Sequence, residues 1–173
     1  MDLKSHIRSI PDWPEKGIVF RDITTLLKHA EALKAAVDAL SQEFRGEEID
    51  LVMAAEARGF IFGAAVACEL GAGFIPVRKP GKLPAETIER TYELEYGTDT
   101  LSVHKDAIQP GQKVLLLDDL LATGGTMKAC CDLVEEMGGE VVACLFLIEL
   151  SFLSGRDKLK GYRVVSLIDY EAE

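Results

Sequence analysis

Val114-Leu115-Leu116-Leu117-Asp118-Asp119-Leu120-Leu121-Ala122-Thr123-Gly124-Gly125-Thr126 is the stretch that decides how this chain folds. Its unbroken apolar start, 114–117, reads as a strand buried on both faces, as in a parallel sheet covered by helices on each side. The strand delivers two adjacent carboxylates, Asp118 and Asp119, to its C-terminal end, where a polyhydroxylated ligand can donate hydrogen bonds to them. The loop 122–126 then enters a helix predicted over 126–137 and stopped by Gly138-Gly139. Backbone N–H groups and the helix dipole at such an entry favour a bound phosphate. Gly124 and Gly125 let the backbone approach a ligand closely, and Thr123 and Thr126 offer hydroxyl donors. No GK[ST] follows, which excludes a Walker A loop, and no GxGxxG opens a helix after a strand. The plain alternative is a tight strand-to-helix turn whose aspartates cap the helix.

Outward from this segment, apolar runs at 49–54, 74–77, 141–148 and 164–168 bring the central strands to five. Leu33, Val37, Leu40 and Phe44 recur at helical spacing within 29–44, and residues 59–70 read as a second helix rich in small residues. Strands alternating with helices predict a doubly wound α/β sheet, in which ligands sit beyond the carboxyl ends of the strands. Residues 1–27 contain Pro11, Pro14 and Gly17 and read as an irregular arm rather than a long helix. In 87–96, Tyr92, Leu94 and Tyr96 alternate with Thr91, Glu93 and Glu95, a two-residue period that predicts a strand. A turn at 97–99 and a return over 101–103 complete a hairpin.

The length of 173 residues suits one domain with a sizeable core. A net charge of −10 argues against nucleic acid or a membrane as a general partner, since both are polyanions. A small phosphorylated substrate remains compatible, because Arg78, Lys79 and Lys82 gather within one short Pro- and Gly-containing segment. The first nine residues lack an apolar signal core, and the nearly apolar stretch 60–77 is interrupted by Glu69, Gly71 and Gly73. Both observations predict a cytoplasmic protein. Cys68, Cys130, Cys131 and Cys144 show no CxxC spacing and read as buried free thiols. His6, His29 and His104 lack metal-ligand spacing and read as structural or surface residues.

The succession of strand, paired acids and Thr-Gly-Gly-Thr closely resembles the signature with which type I phosphoribosyltransferases bind 5-phosphoribosyl 1-pyrophosphate (PRPP). Four further segments resemble the adenine-specific members of that family along nearly the whole chain: 17–24, 56–60, 78–84 and 94–97. The resemblance implies the type I fold, a mainly parallel five-stranded sheet flanked by helices. Residues 1–27 would form a hood and 79–103 a flexible β-hairpin lid within a single domain, 1–173. It also implies transfer of the phosphoribosyl group from PRPP to N9 of adenine, giving AMP and pyrophosphate in purine salvage.

The same resemblance implies residue roles. Asp118 and Asp119 would hold the ribose hydroxyls, while Ala122, Thr123, Gly124, Gly125 and Thr126 enclose the 5′-phosphate. Arg58, Arg78, Lys79 and Lys82 would contact pyrophosphate, with Arg78 reaching a neighbouring subunit's site in a homodimer. Phe20 would stack on adenine while the backbone at Val19 and Arg21 meets its hydrogen-bonding edge; a core aromatic is the alternative for Phe20. Leu150 would cover the opposite face of the purine, or simply be buried in the core. Glu95 would act as acid–base residue with Tyr96 covering the reacting centre. Mg²⁺ is the implied cofactor, held mainly by substrate oxygens rather than by protein ligands. The family position preceding Arg58 is Asp-Ser in some relatives and Glu56-Ala57 here, which leaves the role of Glu56 open.

Three competing readings remain. A PRPP-sensing regulator would keep the loop but lose the lid or gain a nucleic-acid surface. A preference for hypoxanthine or guanine would require a different hood. A receiver-like acidic pocket on Asp118 and Asp119 leaves Thr-Gly-Gly-Thr and the basic segment unexplained.

Overall fold

The computed structural model describes residues 1–94 and 97–173. In chain order its elements are β1 (Arg8–Ile10), β2 (Phe20–Asp22), α1 (Thr24–Leu27), α2 (Ala30–Gln42), β3 (Leu51–Ala55), α3 (Arg58–Leu70) and β4 (Gly73–Val77). Next come β5 (Thr87–Glu93), β6 (Thr98–His104), β7 (Lys113–Leu121), α4 (Gly125–Glu136), β8 (Glu140–Leu150) and β9 (Val164–Tyr170). Short 3-10 turns lie at Lys4–His6, Ser151–Leu153 and Gly155–Leu159.

The apolar runs expected to form the sheet do so: β4-β3-β7-β8-β9 are neighbours in that order, and every pairing is parallel. Side chains alternate across a strand, and β7 shows why its unbroken apolar start is needed. Leu115 and Leu117 are buried in one core with Leu40, Phe44, Phe62 and Val66 of α2, its C-terminal turn and α3. Val114 and Leu116 are buried in the other core with Cys131, Leu133 and Val134 of α4. Each such fully buried aliphatic side chain contributes about 1.5–3 kcal/mol. The amphipathic helix α2 buries Ala32, Ala36 and Leu40 at four-residue spacing, and the His29 side chain caps its start by accepting from the Ala32 amide at 3.3 Å.

Four expectations are corrected. The strand carrying the aspartates does not end before them: β7 pairs with β8 through Leu121, so both carboxylates lie within the strand. Hydrogen bonding to a neighbouring strand, which local apolarity does not encode, extends it. The hairpin turn falls earlier than 97–99, because Thr98 and Asp99 already pair with Glu93 and Tyr92 and the Leu94 amide donates to the Gly97 carbonyl at 2.9 Å. Cys68 is exposed, whereas Cys130, Cys131 and Cys144 are buried free thiols; Cys68 sits on the outer face of α3, where its apolar neighbours in sequence point elsewhere. The arm is also less irregular than expected. It contains no long helix, but β1 and β2 pair antiparallel, with Ile10 opposite Phe20.

Asp22 ties that arm to α1. Its carboxylate accepts from the Thr24 amide at 2.9 Å and the Thr24 hydroxyl at 2.7 Å, and from Arg8 Nε at 3.0 Å. The Thr24 hydroxyl, Arg8 and the Thr24 amide lower its pKa from the ordinary 3.8 to about 2. A depressed carboxylate stabilises the fold above its unfolded pKa and loses that effect as pH falls toward its folded value. Asp22→Asn is therefore expected to cost about 1 kcal/mol near neutral pH, as for a lost cap. In urea denaturation at a series of pH values, the gap between wild type and variant should close progressively below the ordinary 3.8.

Candidate active site

The sheet's topology makes a crevice before any side chain is considered. From β3 the chain moves outward to β4, whereas from β7 it moves the other way to β8 and β9. Ligands bind at such switch points, beyond the strands' carboxyl ends. β3 pairs with β7 through Ala54 and Leu117, after which β7 continues alone on that side. A cleft of about 270 Å³ opens there, lined by Glu56, Arg58, Lys79, Tyr92, Asp118, Asp119 and Thr126 among others. A larger depression of about 440 Å³ lies among His6, Arg8, Lys28 and His29. It touches none of the carboxyl ends of the five-stranded sheet and none of the acidic or glycine-rich segments, so the smaller cleft is the candidate site.

Arg58 is the first residue of α3, so its charge adds to the positive end of the helix dipole. Its Nε lies 3.0 Å from Asp119 Oδ2, but off the axis of a hydrogen bond, since Oδ2 is buried without a hydrogen-bond partner. Arg58 Nη1 is likewise buried and unpartnered, and the guanidinium stands 5.0 Å from the centroid of the Phe20 ring. Arg58 and Asp119 thus meet as a close ion pair at the edge of the cleft, without a hydrogen bond between them.

Asp118 and Asp119 are held apart from ordinary surface carboxylates. Burial first, and the neighbouring Asp119 charge second, push the Asp118 pKa well above the usual range, although part of its surface opens to the cleft. Burial also raises Asp119, against the pull of Arg58. Such a coupled pair releases its protons as a unit. Asp118 Oδ1 accepts from the Asp119 amide at 2.8 Å, which fixes the orientation of one carboxylate relative to the other.

Immediately beyond, residues 121–127 with Asp118, Leu120 and Phe146 enclose a second space of about 80 Å³. Gly124 caps α4 in the left-handed region, at φ +80, with no side chain capping the helix. The first N–H groups of a helix have no intrahelical partners, so this small concavity presents donors to an anion.

One residue not singled out from the sequence joins the two spaces. Tyr92 OH is 3.2 Å from Asp99 Oδ2 and 3.0 Å from Thr126 Oγ1. A phenol has one proton, and an ionised carboxylate can only accept, so Tyr92 donates to Asp99 and Thr126 donates to Tyr92. Burial raises the Tyr92 pKa, which keeps the phenol protonated. Burial pushes Asp99 upward, but hydrogen bonds from Lys79 and the Thr100 amide outweigh it and hold the carboxylate below its ordinary value. Asp99 also forms an ion pair with Lys79. The alternation that predicted the strand placed Tyr92 on the inward face but could not name Thr126, 34 positions away, as its partner.

The basic segment divides. Lys79 lines the cleft. Arg78 Nε lies 3.4 Å from Glu56 Oε1, and the same oxygen accepts from the Lys79 amide at 2.6 Å, so Glu56 shapes the start of this segment. Lys82 is exposed. In the arm, the Arg21 side chain turns away from the cleft: its Nη1 donates to Ser9 Oγ at 2.6 Å and its guanidinium lies 3.9 Å from the Tyr170 ring centroid. The Val19 amide donates to Glu173 Oε2 at 3.2 Å, and Phe20 packs edge-on against Trp13, with centroids 4.4 Å apart. Leu150 ends β8 opposite Tyr170 and packs against the core on the α2 and α3 side. Glu95 and Tyr96 lie outside the described residues.

Comparison with known proteins agrees with this geometry. Residues 22–172 match the phosphoribosyl transferase domain family. The chain is 62% identical to the adenine phosphoribosyltransferase of Alkaliphilus metalliredigens over 98% of its own length and 100% of the relative's. It superposes on the crystal structure of adenine phosphoribosyltransferase from Thermoanaerobacter pseudethanolicus with a TM-score of 0.95 and 56% identity, covering 98% of each chain. The Saccharomyces cerevisiae enzyme was solved with an imino-altritol bisphosphate and adenine. It is 39% identical, with a TM-score of 0.90, over 95% of this chain and 96% of that one. With the switch-point cleft, the paired aspartates and the glycine loop in place, this chain belongs to the adenine phosphoribosyltransferases, within the phosphoribosyl transferase domain family.

Proposed function

We infer that this chain is a pentosyltransferase of purine salvage that transfers the 5-phosphoribosyl group of PRPP to N9 of adenine, releasing pyrophosphate and forming AMP. One observation carries the reading. In a member of this family, a single switch-point cleft holds Arg58 at the start of α3, the paired Asp118 and Asp119, and Thr126 of the glycine loop.

The proposed chemistry assigns each part a task. Residues 122–126 hold the 5′-phosphate through backbone amides and threonine hydroxyls. Asp118 and Asp119 accept hydrogen bonds from the ribose hydroxyls and fix the sugar for attack. As the C1–O bond to pyrophosphate breaks and the C1–N9 bond forms, positive charge develops on the sugar and negative charge on the leaving group. Arg58 and Lys79, with Arg78 and Lys82, stabilise that leaving charge. Phe20 and Leu150 sandwich the purine, with the backbone of Val19 and Arg21 at its edge once the Glu173 side chain gives way. Glu95 accepts the purine proton and returns it in the reverse reaction, while Tyr96 helps exclude water that would otherwise capture the activated ribose.

Mg²⁺ suits this site on the chemistry of its donors. Two hard carboxylates are available, but Asp119 already faces Arg58 at 3.0 Å, so the set fits a cation whose remaining ligands come from the substrate. When bound, Mg²⁺ would supply charge neutralisation for the leaving pyrophosphate.

The proposed organisation is one domain over 1–173, with 1–27 as hood and 79–103 as lid; the antiparallel β5–β6 ribbon supports the latter. A homodimer is proposed on family grounds, with Arg78 at the neighbouring site. A cytoplasmic setting fits highly charged substrates, and no helix among the described residues is long and apolar enough to cross a membrane.

The test of the activity is chromatographic: adenine and PRPP should give AMP with purified protein and Mg²⁺, and AMP with pyrophosphate should regenerate adenine. Absence of both conversions would overturn the reading. For Glu95, replacement by Gln is expected to lower kcat by about 10²–10⁴-fold while leaving KM for PRPP unchanged, measured by steady-state pyrophosphate release. A raised KM with kcat unchanged would instead assign Glu95 to binding.

A further inference from the structure

The glycine loop does not stand alone; a second loop is pressed against its back. Gly155 belongs to the short excursion between β8 and β9. A methyl group on it would overlap the Ala122 carbonyl and come within 2.9 Å of Leu121 Cδ1. Reciprocally, a methyl group on Gly124 would overlap the Gly155 carbonyl. Two backbones therefore meet with no side chain between them, and the position of Gly155 sets the position of Ala122 and Gly124.

What holds Gly155 is its neighbour Arg156. The guanidinium grips Glu149 with both ends of its fork, Nε to Oε1 and Nη2 to Oε2, each at 2.7 Å. It is also tied to β9, through Nη1 to the Val164 carbonyl at 3.0 Å and Nη2 to Ser166 Oγ at 3.1 Å. Ser166 Oγ in turn donates to Glu149 Oε2 at 2.6 Å. Glu149 is buried, at 5% exposure, and stands in register with Leu121, the last residue of β7 before the glycine loop. The hydrogen bonds from Arg156 hold its carboxylate below the ordinary range, against burial. Ser154, the residue before Gly155, adopts the left-handed conformation at φ 54, which a non-glycine residue keeps only where its surroundings enforce it. The pair thus closes the excursion from Glu149 to Arg156 onto the sheet and wedges Gly155 behind the loop.

We propose that Glu149 and Arg156 are positioning residues for the phosphate loop, a brace through Gly155 that sets affinity for the 5′-phosphate of the sugar substrate. The proposal rests on the reading that residues 122–126 hold that phosphate. Neither side chain lines the cleft or the loop's own concavity, so their effect is transmitted through backbone contact. Loss of one hydrogen bond to a charged group costs on the order of ten- to a hundredfold in affinity, and a brace against the loop's back controls displacements large enough to break one.

The experiment uses the full-length protein with ribose 5-phosphate and inorganic pyrophosphate as separate probes, by isothermal titration calorimetry, together with kinetics and thermal melting. Arg156→Lys keeps the charge but loses the fork. Its Kd for ribose 5-phosphate is expected to rise on the order of tenfold, with pyrophosphate binding and KM for adenine unchanged and KM for PRPP raised in parallel. The double variant Glu149→Gln with Arg156→Met leaves no unpaired buried charge, and its affinity for ribose 5-phosphate should stay low. Equal weakening of both probes, or wild-type affinity for ribose 5-phosphate in the double variant, overturns the brace. If the wild-type protein binds pyrophosphate but not ribose 5-phosphate, the phosphate-loop reading itself fails, and the brace with it.

Discussion

Replacing Arg58 by Ala is expected to lower kcat/KM for PRPP by about 10²–10³-fold, the cost of removing a preorganised group from developing charge. Arg58 opens α3, so its charge adds to the helix N-terminus and both favour an anion in the cleft. Its Nε also faces the Asp119 carboxylate at 3.0 Å. Deleting the guanidinium also leaves Asp119 buried without its counter-charge, which favours the protonated carboxyl and weakens it as a hydrogen-bond acceptor for the ribose. Arg58→Lys should recover only part of the loss, since one ammonium cannot replace a planar fork. Steady-state kinetics of the two variants check this; full recovery by Lys would show that charge alone matters there.

Gly124→Ala is expected to have an effect of similar size by a different route. At φ +80 an alanine is strained, at a cost of about 1–3 kcal/mol, and its methyl group would also overlap the Gly155 carbonyl. The loop must shift, and its amides shift with it. Binding of ribose 5-phosphate should fall on the order of 10²-fold, measured by calorimetry, with a lowered Tm in the same preparation. Unchanged binding would show that the amides at this turn do not hold the phosphate.

The sheet was legible because burial on both faces leaves a local trace: runs such as Val114 to Leu117 are apolar without alternation. The glycine loop 122–126 was legible because its residues are contiguous in sequence. What escaped notice depends on partners far along the chain. The extension of β7 through Asp118 and Asp119 comes from pairing with β8. The link from Tyr92 to Thr126 crosses 34 positions, and nothing around Gly155 announces that it abuts Ala122. Arg21 shows the converse. Its place in the N-terminal arm was readable, yet its side chain lies on Tyr170, a residue brought near only by the last strand of the sheet. Cys68 is exposed despite its apolar sequence neighbours, which describe a helix's composition and not the direction in which one of its positions points.

Pyrophosphate release by the purified protein with PRPP, Mg²⁺ and one purine at a time tests the central claim most directly. Turnover is expected with adenine and none with hypoxanthine or guanine. Release with hypoxanthine or guanine but not adenine would contradict the base assignment. PRPP binding with no turnover on any purine would contradict the enzyme and favour a sensor built on the same loop.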